Sequence, residues 1–423
     1  MVAVVSLKAV MRGNVLVLTV TRTLWSVAGS IIYAYFSLYM ISLGASKPVI
    51  GLVNSLGALA ACILYPIGGY IADKSGRARL VSFATLFFAS SYLIYAFSPS
   101  WEWLTFAYIY QQIVLFYTPA LNAIMADSIP IGARGRIYAL TVAVPEAVRI
   151  VTPYIGGYLI AVMTLQPAMR LGYTLSFALG SVVALIRFRY LKETMVNSEG
   201  IGWNVLKMLK DGYHDVVTSL KWVFSTIKGY AIVAILISSI SSFVTPFWVV
   251  YATEVIGLSA YDWGVVLLLA GIAKTTLSFA VGSLVDRLGP KSCMAISLTI
   301  AIPSMTLFTF ADGFYQVVLV YIPLAVSSSF MWIATSVFLA NSIPKGIRGR
   351  VMASLGSSIN VGIMGGGFSG GFLLFISMSM GSLASGFVYS VNPAYPWYLQ
   401  SIALLAALAL LIVLIREPEK AHE

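Results

Sequence analysis

Apolar stretches of about 18 residues or more, long enough to cross a hydrocarbon core of ~30 Å, recur along the whole of this chain. In lipid, backbone polar groups must be satisfied within the segment itself or within a closed barrel. The stretches lack the period-two alternation of barrel strands, so they read as helices. Composition agrees: of 423 residues, 10% are charged and 59% hydrophobic, against about 25% charged in a soluble domain. A chain this poor in charge cannot cover the surface of a large soluble globule. Twelve spans are expected, at 14–43, 48–72, 80–98, 103–126, 137–165, 171–191, 230–256, 262–284, 292–311, 314–340, 351–378 and 397–415. The first apolar run is too long for the core of a signal peptide and reads as span one. Cys62 and Cys293 fall in apolar or membrane-edge segments and say nothing about disulfides.

An even number of spans places both termini on one side. The formal charge of +11 is distributed to match. Outside the spans, every Lys and Arg except Lys47 and Arg170 falls on the side of the termini. Cytoplasmic loops are rich in Lys and Arg, so both termini are expected in the cytoplasm, with the protein in the cell membrane. The basic charge is a topology signal, and no nucleic-acid partner is expected.

The longest connection on that side runs over 192–229. It divides the chain into a first half, 1–191, and a second half, 230–423. Within it Leu206, Leu209, Tyr213, Val216, Val217, Leu220, Val223, Phe224 and Ile227 recur at helical spacing, the pattern of an amphipathic surface helix. The segment 379–396 contains Pro393 and Pro396 and reads as a flexible outer loop.

The halves are related in sequence. Gly69-Tyr-Ile-Ala-Asp73-Lys-Ser-Gly76-Arg77 recurs as Gly282-Ser-Leu-Val-Asp286-Arg-Leu-Gly289-Pro290, at an offset of 213. Asp127-Ser-Ile-Pro130-Ile-Gly132-Ala-Arg134-Gly135-Arg136 recurs as Asn341-Ser-Ile-Pro344-Lys-Gly346-Ile-Arg348-Gly349-Arg350, at an offset of 214. Pro153-Tyr-Ile-Gly156-Gly157 matches Gly367-Phe-Ser-Gly370-Gly371 at the same 214. Three matches in order at essentially one offset define two parallel six-span repeats, an organisation typical of secondary transporters.

The first pair resembles the loop 2–3 signature of the major facilitator superfamily, Gly-x-x-x-Asp-(Arg/Lys)-x-Gly-(Arg/Lys), and its loop 8–9 echo. Span count, repeat offset and motif order extend the resemblance over the whole chain. It implies an all-α integral membrane fold of twelve helices in two six-helix bundles. It also implies a central cavity lined mainly by spans one, four, seven and ten, and rocker-switch alternating access. In that setting Gly69 and Gly282 allow close helix approach. Asp73 is expected to face the start of span eleven near Gly349 and Arg350, and Asp286 the start of span five near Gly135 and Arg136, each meeting the positive end of a helix. Arg77, Arg79 and Arg287 are expected to hold loop carboxylates, Asp127 among them. Pro153-x-x-Gly156-Gly157 resembles the end of the family's antiporter motif, Gly-Pro-x-x-Gly-Gly, with Thr152 where a glycine is expected. Gly365, Gly366, Gly367, Gly370 and Gly371 suggest a pliable span eleven.

Charged side chains at membrane depth cost several kcal/mol unless paired or wet, and they mark function. There are four here: Arg22, Glu146, Arg149 and Lys274. By their distance in sequence from the inner ends of their helices they lie roughly 15–20 Å deep. Glu146 and Arg149 share a helix face at i, i+3, and either form a structural pair or exchange with Lys274 across the seam between halves. Polar and aromatic residues at helical spacing complete a candidate cavity: Tyr33 on span one, Gln111 and Asn122 on span four, Thr245 and Trp248 on span seven, Trp332 on span ten. The Arg of span four in many family antiporters has no counterpart; Gln111 and Gln112 stand there.

No P-loop, metal-ligand cluster or nucleophile–base arrangement occurs, so neither enzymatic chemistry nor a cofactor is expected. The leading reading is a secondary transporter driven by an ion gradient, with protons as coupling ion, exporting small organic compounds as a monomer. A symporter or uniporter importing a solute is the alternative; three intramembrane cations against one carboxylate would suit an anionic substrate in either direction. A non-transporting sensor or lipid scramblase is the rival of another class.

Overall fold

The computed structural model describes residues 12–74, 76–129, 134–195, 205–344, 346–362 and 370–417. Among them there are helices and no strands. Eleven helices among the described residues are long and apolar enough to cross a membrane. The remaining crossing, span four, runs as Trp101–Val114, a 3₁₀ turn at Leu115–Tyr117, and Thr118–Ser128. Gln111, Gln112, Asn122 and Pro119 dilute its apolar character.

The first half holds span one at Gly13–Ser42, two at Lys47–Lys74, three at Arg77–Phe97, four as above, five at Arg134–Met163 and six at Leu165–Tyr190. The amphipathic linker helix follows at Val205–Thr226. The second half holds span seven at Lys228–Glu254, eight at Ala260–Leu288, nine at Pro290–Phe308, ten at Phe314–Ser342, eleven, and twelve at Tyr395–Leu414.

Local chemistry sets the ends. Span eight begins with a capping box in which Ser259 and Asp262 satisfy each other's backbone N–H groups, and span nine begins with Pro290 at its first position. Spans five and six are joined through the single residue Thr164, at φ 67°. Spans one and seven break at equivalent 3₁₀ turns, Tyr33–Tyr35 and Thr245–Phe247.

Span eleven departs from the expectation. Helix Arg348–Leu355 stops at Gly356, whose φ is 129°, and the next helix described runs over Phe372–Val391. The expected flexible loop over 379–396 is therefore mostly a partly buried helix, and the outer turn is confined to 392–394. Glycine is costly inside a helix, and Gly356, Gly362, Gly370 and Gly371 all lie outside one. Gly371 is the extended residue just before Phe372, packed on Gly356. The expectation of a glycine-rich pliable helix is corrected at these positions. Gly365, Gly366 and Gly367 lie outside the described residues, as do Pro130 and Gly132.

The halves meet along two seams, span two against span eleven and span five against span eight. Close approach is achieved without side chains. A Cβ on Gly51 would stand 2.6 Å from the Ser382 carbonyl, and one on Gly157 2.6 Å from the Ala260 carbonyl. At the end opposite the termini the halves are also tied by the Lys47–Glu254 ion pair and by Tyr35, whose hydroxyl reaches the carbonyls of Pro153 (2.7 Å) and Ala260 (3.1 Å). The linker helix lies across the span two–eleven seam at the terminus end. Tyr213 donates to the Ile63 carbonyl at 3.0 Å and sets its ring against Phe372, and Asp215 approaches Arg350 at 3.7 Å.

Candidate functional site

Charge enters the membrane interior at two places. On span one, Arg22 donates to the Asn122 side-chain oxygen of span four at 3.2 Å. On span five, Arg149 pairs with Glu146, its Nε donating to Oε2 at 3.0 Å. The i, i+3 spacing produces that pair directly. Across the seam, Ile150 packs against Gly271 of span eight. Lys274 follows three residues on, close enough for its charge to interact with both Arg149 and Glu146. The Lys274 ammonium makes no hydrogen bond or ion pair among the described residues, so Glu146 is here bound to Arg149 with a second cation in reach.

A small cavity, open at one side, lies between Gly29, Ile32, Tyr33 and Phe36 of span one, Tyr92 and Tyr95 of span three, Tyr108 and Gln111 of span four, and Tyr173 of span six. Tyr33 is 55% exposed at its edge. Gln111 is held in place, donating to the Ser91 hydroxyl at 3.0 Å and accepting from Tyr95 at 3.4 Å. Asn122 is exposed beside Arg22, and Trp332 is 44% exposed on span ten.

One expected cavity residue is placed elsewhere. Trp248 is fully buried, donates its indole N–H to the Gly362 carbonyl at 2.6 Å, and packs among Trp263, Phe308, Tyr321 and Trp397. It is a core residue because a ring that size satisfies its single donor against the interrupted span eleven. Thr245 returns its hydroxyl to the Ser241 carbonyl of its own helix at 2.8 Å.

At the terminus end, Arg77 binds Asp127 at 2.6 Å, joining the start of span three to the end of span four. Gly76 is the N-cap position of span three. Asp286 and Arg287 are exposed in the last turn of span eight, which ends at Gly289 with φ 80°. Among the described residues no atom of another helix lies within 4 Å of where a Cβ on Gly282 would stand, so none of them packs closely on that glycine. Arg348 donates to the carbonyls of Ala340 (2.6 Å) and Ile343 (3.0 Å), closing the end of span ten. The side chains of Asp73, Arg134 and Arg136 lie outside the described residues, as does the packing around Gly69. Pro153 and Gly156 sit within span five; Gly156 abuts the Ile31 carbonyl of span one.

Three polar features escape a reading by motif. Arg187, which counts as a loop cation by position, is 1% exposed and donates to Thr85 at 2.6 Å and Thr21 at 3.3 Å. Glu193, just past span six, accepts from the Ala78 N–H at the start of span three at 2.9 Å. Partial burial would raise its pKa, but hydrogen bonds from the N–H groups of Ala78, Met195, Thr194 and Arg77 outweigh this and hold it below the usual carboxylate range. Glu417, just past span twelve, does the same for span nine through the Lys291 N–H at 2.8 Å. The two carboxylates stand in equivalent places, just past the last helix of each half, but 224 residues apart against the repeat offset of 213–214, so the repeat did not pair them in advance.

Residues 18–273 and 230–423 each match the family model described as Major Facilitator Superfamily. Multidrug resistance protein 1 of Bacillus subtilis (strain 168) is 23% identical over 380 residues, covering 88% of this chain and 89% of its own length. An uncharacterized MFS-type transporter of Methanocaldococcus jannaschii is 24% identical over 364 residues, covering 85% and 91%. Among solved structures, a bacterial homolog of the human lysosomal transporter Spinster, inward-facing and unoccupied, superimposes with TM-score 0.68 at 15% identity, over 95% of this chain and 94% of that one. The human organic anion transporter MFSD10 gives 0.67 at 16%, over 94% and 98%.

Proposed function

We infer that proton-coupled export of small organic compounds is the work of this chain, which belongs to the Major Facilitator Superfamily and is a multi-pass membrane protein, a secondary transporter and not an enzyme. The observation that carries the reading is Glu146. It is the one carboxylate at mid-membrane depth among the described residues, bound to Arg149 and facing Lys274 across a seam between halves. A carboxylate held by one cation with a second in reach can change partner as the halves rock, and protonation releases both. The partial antiporter motif at Pro153, Gly156 and Gly157 and the relatives named as multidrug resistance proteins support the outward direction. On this reading the protein works as a monomer in the cell membrane with both termini in the cytoplasm. Asp73 and Asp286 serve as contacts that favour one state of the terminus-end gate.

A second reading rests on charge. Arg22, Arg149 and Lys274 outnumber Glu146, which suits an anionic solute in either direction, and import by symport or uniport is the alternative to export. Purified protein in liposomes with an imposed pH gradient, offered cationic, neutral and anionic compounds, separates these. Substrate movement against the inward proton gradient supports export. Anion uptake driven by the gradient supports a symporter, anion uptake indifferent to pH supports a uniporter, and absence of any solute movement favours a sensor or scramblase.

A further inference from the structure

The cavity lies inside the first half, off the axis between the halves. The corresponding space in the second half is filled. The repeat offset of 213 pairs Tyr92 with Met305, Tyr95 with Phe308, Tyr108 with Tyr321 and Gln111 with Leu324. In the last helix of each half the equivalent capping carboxylates Glu193 and Glu417 set the offset, which pairs Tyr173 with Trp397. The residue following the 3₁₀ break is Phe36 in one half and Trp248 in the other.

In the second half Trp248 occupies the middle of the box. Phe308, Tyr321 and Trp397 surround it edge-to-face, with ring centroids at 4.6, 5.1 and 5.5 Å. In the first half Tyr95 and Tyr108 keep their contacts with Phe36 at 5.8 and 5.5 Å, and Tyr173 stacks on Tyr95 at 4.7 Å. Phenyl is smaller than indole, and the box stays open past Tyr33. The walls differ in a second respect. Four positions that are apolar in the sealed half, Met305, Phe308, Leu324 and Trp397, are Tyr92, Tyr95, Gln111 and Tyr173 around the open one. Polar groups in a packed core cost free energy unless each finds a partner. Hydroxyls and an amide set around open space, between aromatic faces, instead suit a guest that is both flat and polar.

We propose that this box is a substrate subsite for one planar aromatic ring carrying a hydrogen-bonding group, seated edge-on to the tyrosine walls as Trp248 is seated in the other half. The proposal rests on the transporter reading for its role; it requires neither export nor protons.

Indole, benzene and cyclohexanol serve as probes, since they are respectively aromatic and polar, aromatic only, and polar only. The full chain in lipid nanodiscs is dialysed to equilibrium against each without a pH gradient, and empty nanodiscs are subtracted. Indole is expected to bind saturably, one per chain, and the other two about tenfold or more weakly. Phe36→Trp, which places the second half's own ring in the box, is expected to abolish saturable indole binding. Gln111→Leu, a smaller change, is expected to weaken it about tenfold while the unfolding temperature holds, and it carries the test if Phe36→Trp fails to fold. Absence of saturable indole binding, equal binding of benzene or cyclohexanol, or undiminished indole binding in the folded variants overturns the proposal. Intact indole binding with no gradient-driven export would sink the export reading alone.

Discussion

Glu146→Gln separates coupling from scaffolding. The Glu146–Arg149 pair is partly exposed, with side chains 43% and 24% accessible. Where that face lines a water-filled cavity, as the coupling role requires, such a pair contributes about 1 kcal/mol or less to stability, far from the roughly 3–5 kcal/mol lost when one partner of a fully buried pair is removed. The amide keeps the shape and still accepts from the Arg149 Nε. The variant should therefore insert and unfold within a few degrees of the wild type. Its effect on coupling should be large. One proton exchanged per substrate across one pH unit sustains a concentration ratio of up to about tenfold. In proteoliposomes with that gradient the wild type should approach this ratio, and Glu146→Gln should stay near unity. Substrate counterflow, which needs alternating access but no net proton movement, should persist. Normal accumulation in the variant would refute the assignment and move attention to Asp127. Loss of counterflow together with stability would make Glu146 structural.

Asp73→Asn should slow transport by up to about thirtyfold with insertion unchanged, because a carboxylate at a partly buried helix N-terminus is worth up to ~2 kcal/mol; initial uptake rates and surface labelling check this. Arg22→Ala should reduce binding most for anionic substrates, read by comparing affinities across a charge series, and equal losses across the series would point to a folding role. Glu193 has a folded-state pKa held below its unfolded value, so its stabilisation is present above the unfolded pKa and is lost as pH falls through the folded pKa. Glu193→Gln should cost about 1 kcal/mol at neutral pH and flatten the acid side of a melting-temperature profile. Gly68→Ala should destabilise by about 1–3 kcal/mol, because its Cβ would collide with the Phe116 carbonyl in span four; thermal unfolding measures the loss.

Hydrophobic run length carried most of the fold, because each crossing needs an apolar stretch whatever it packs against. Span eleven was the exception: hydropathy continues past Gly356, and only the backbone cost of glycine decides that the helix stops there. The intramembrane charges were legible for the same reason that they are rare, and i, i+3 spacing gave the Glu146–Arg149 pair. Trp248 was misplaced because spacing fixes which helix face a residue occupies but not whether that face meets the axis or the bundle's own interior. Arg187 looked like a loop cation because its helix end is charged; the threonines that receive it lie far away in sequence, on spans one and three. The tyrosine box was hidden by its dispersion over four helices, although the repeat offset already paired three of its rings with their counterparts.

The linker helix has a consequence that goes beyond connection. It grips span two through Tyr213 and Ile63 and reaches the second half through Phe372 and Arg350, so rocking one half against the other must strip at least one of these grips. Its docking free energy is then thermodynamically linked to whatever the transporter binds. A solute that prefers the docked arrangement tightens the helix, and the docked helix raises affinity for that solute by the same factor. A segment that touches no substrate can thus set the apparent affinity for one, and proteolytic protection of 205–226 becomes a readout of transport state.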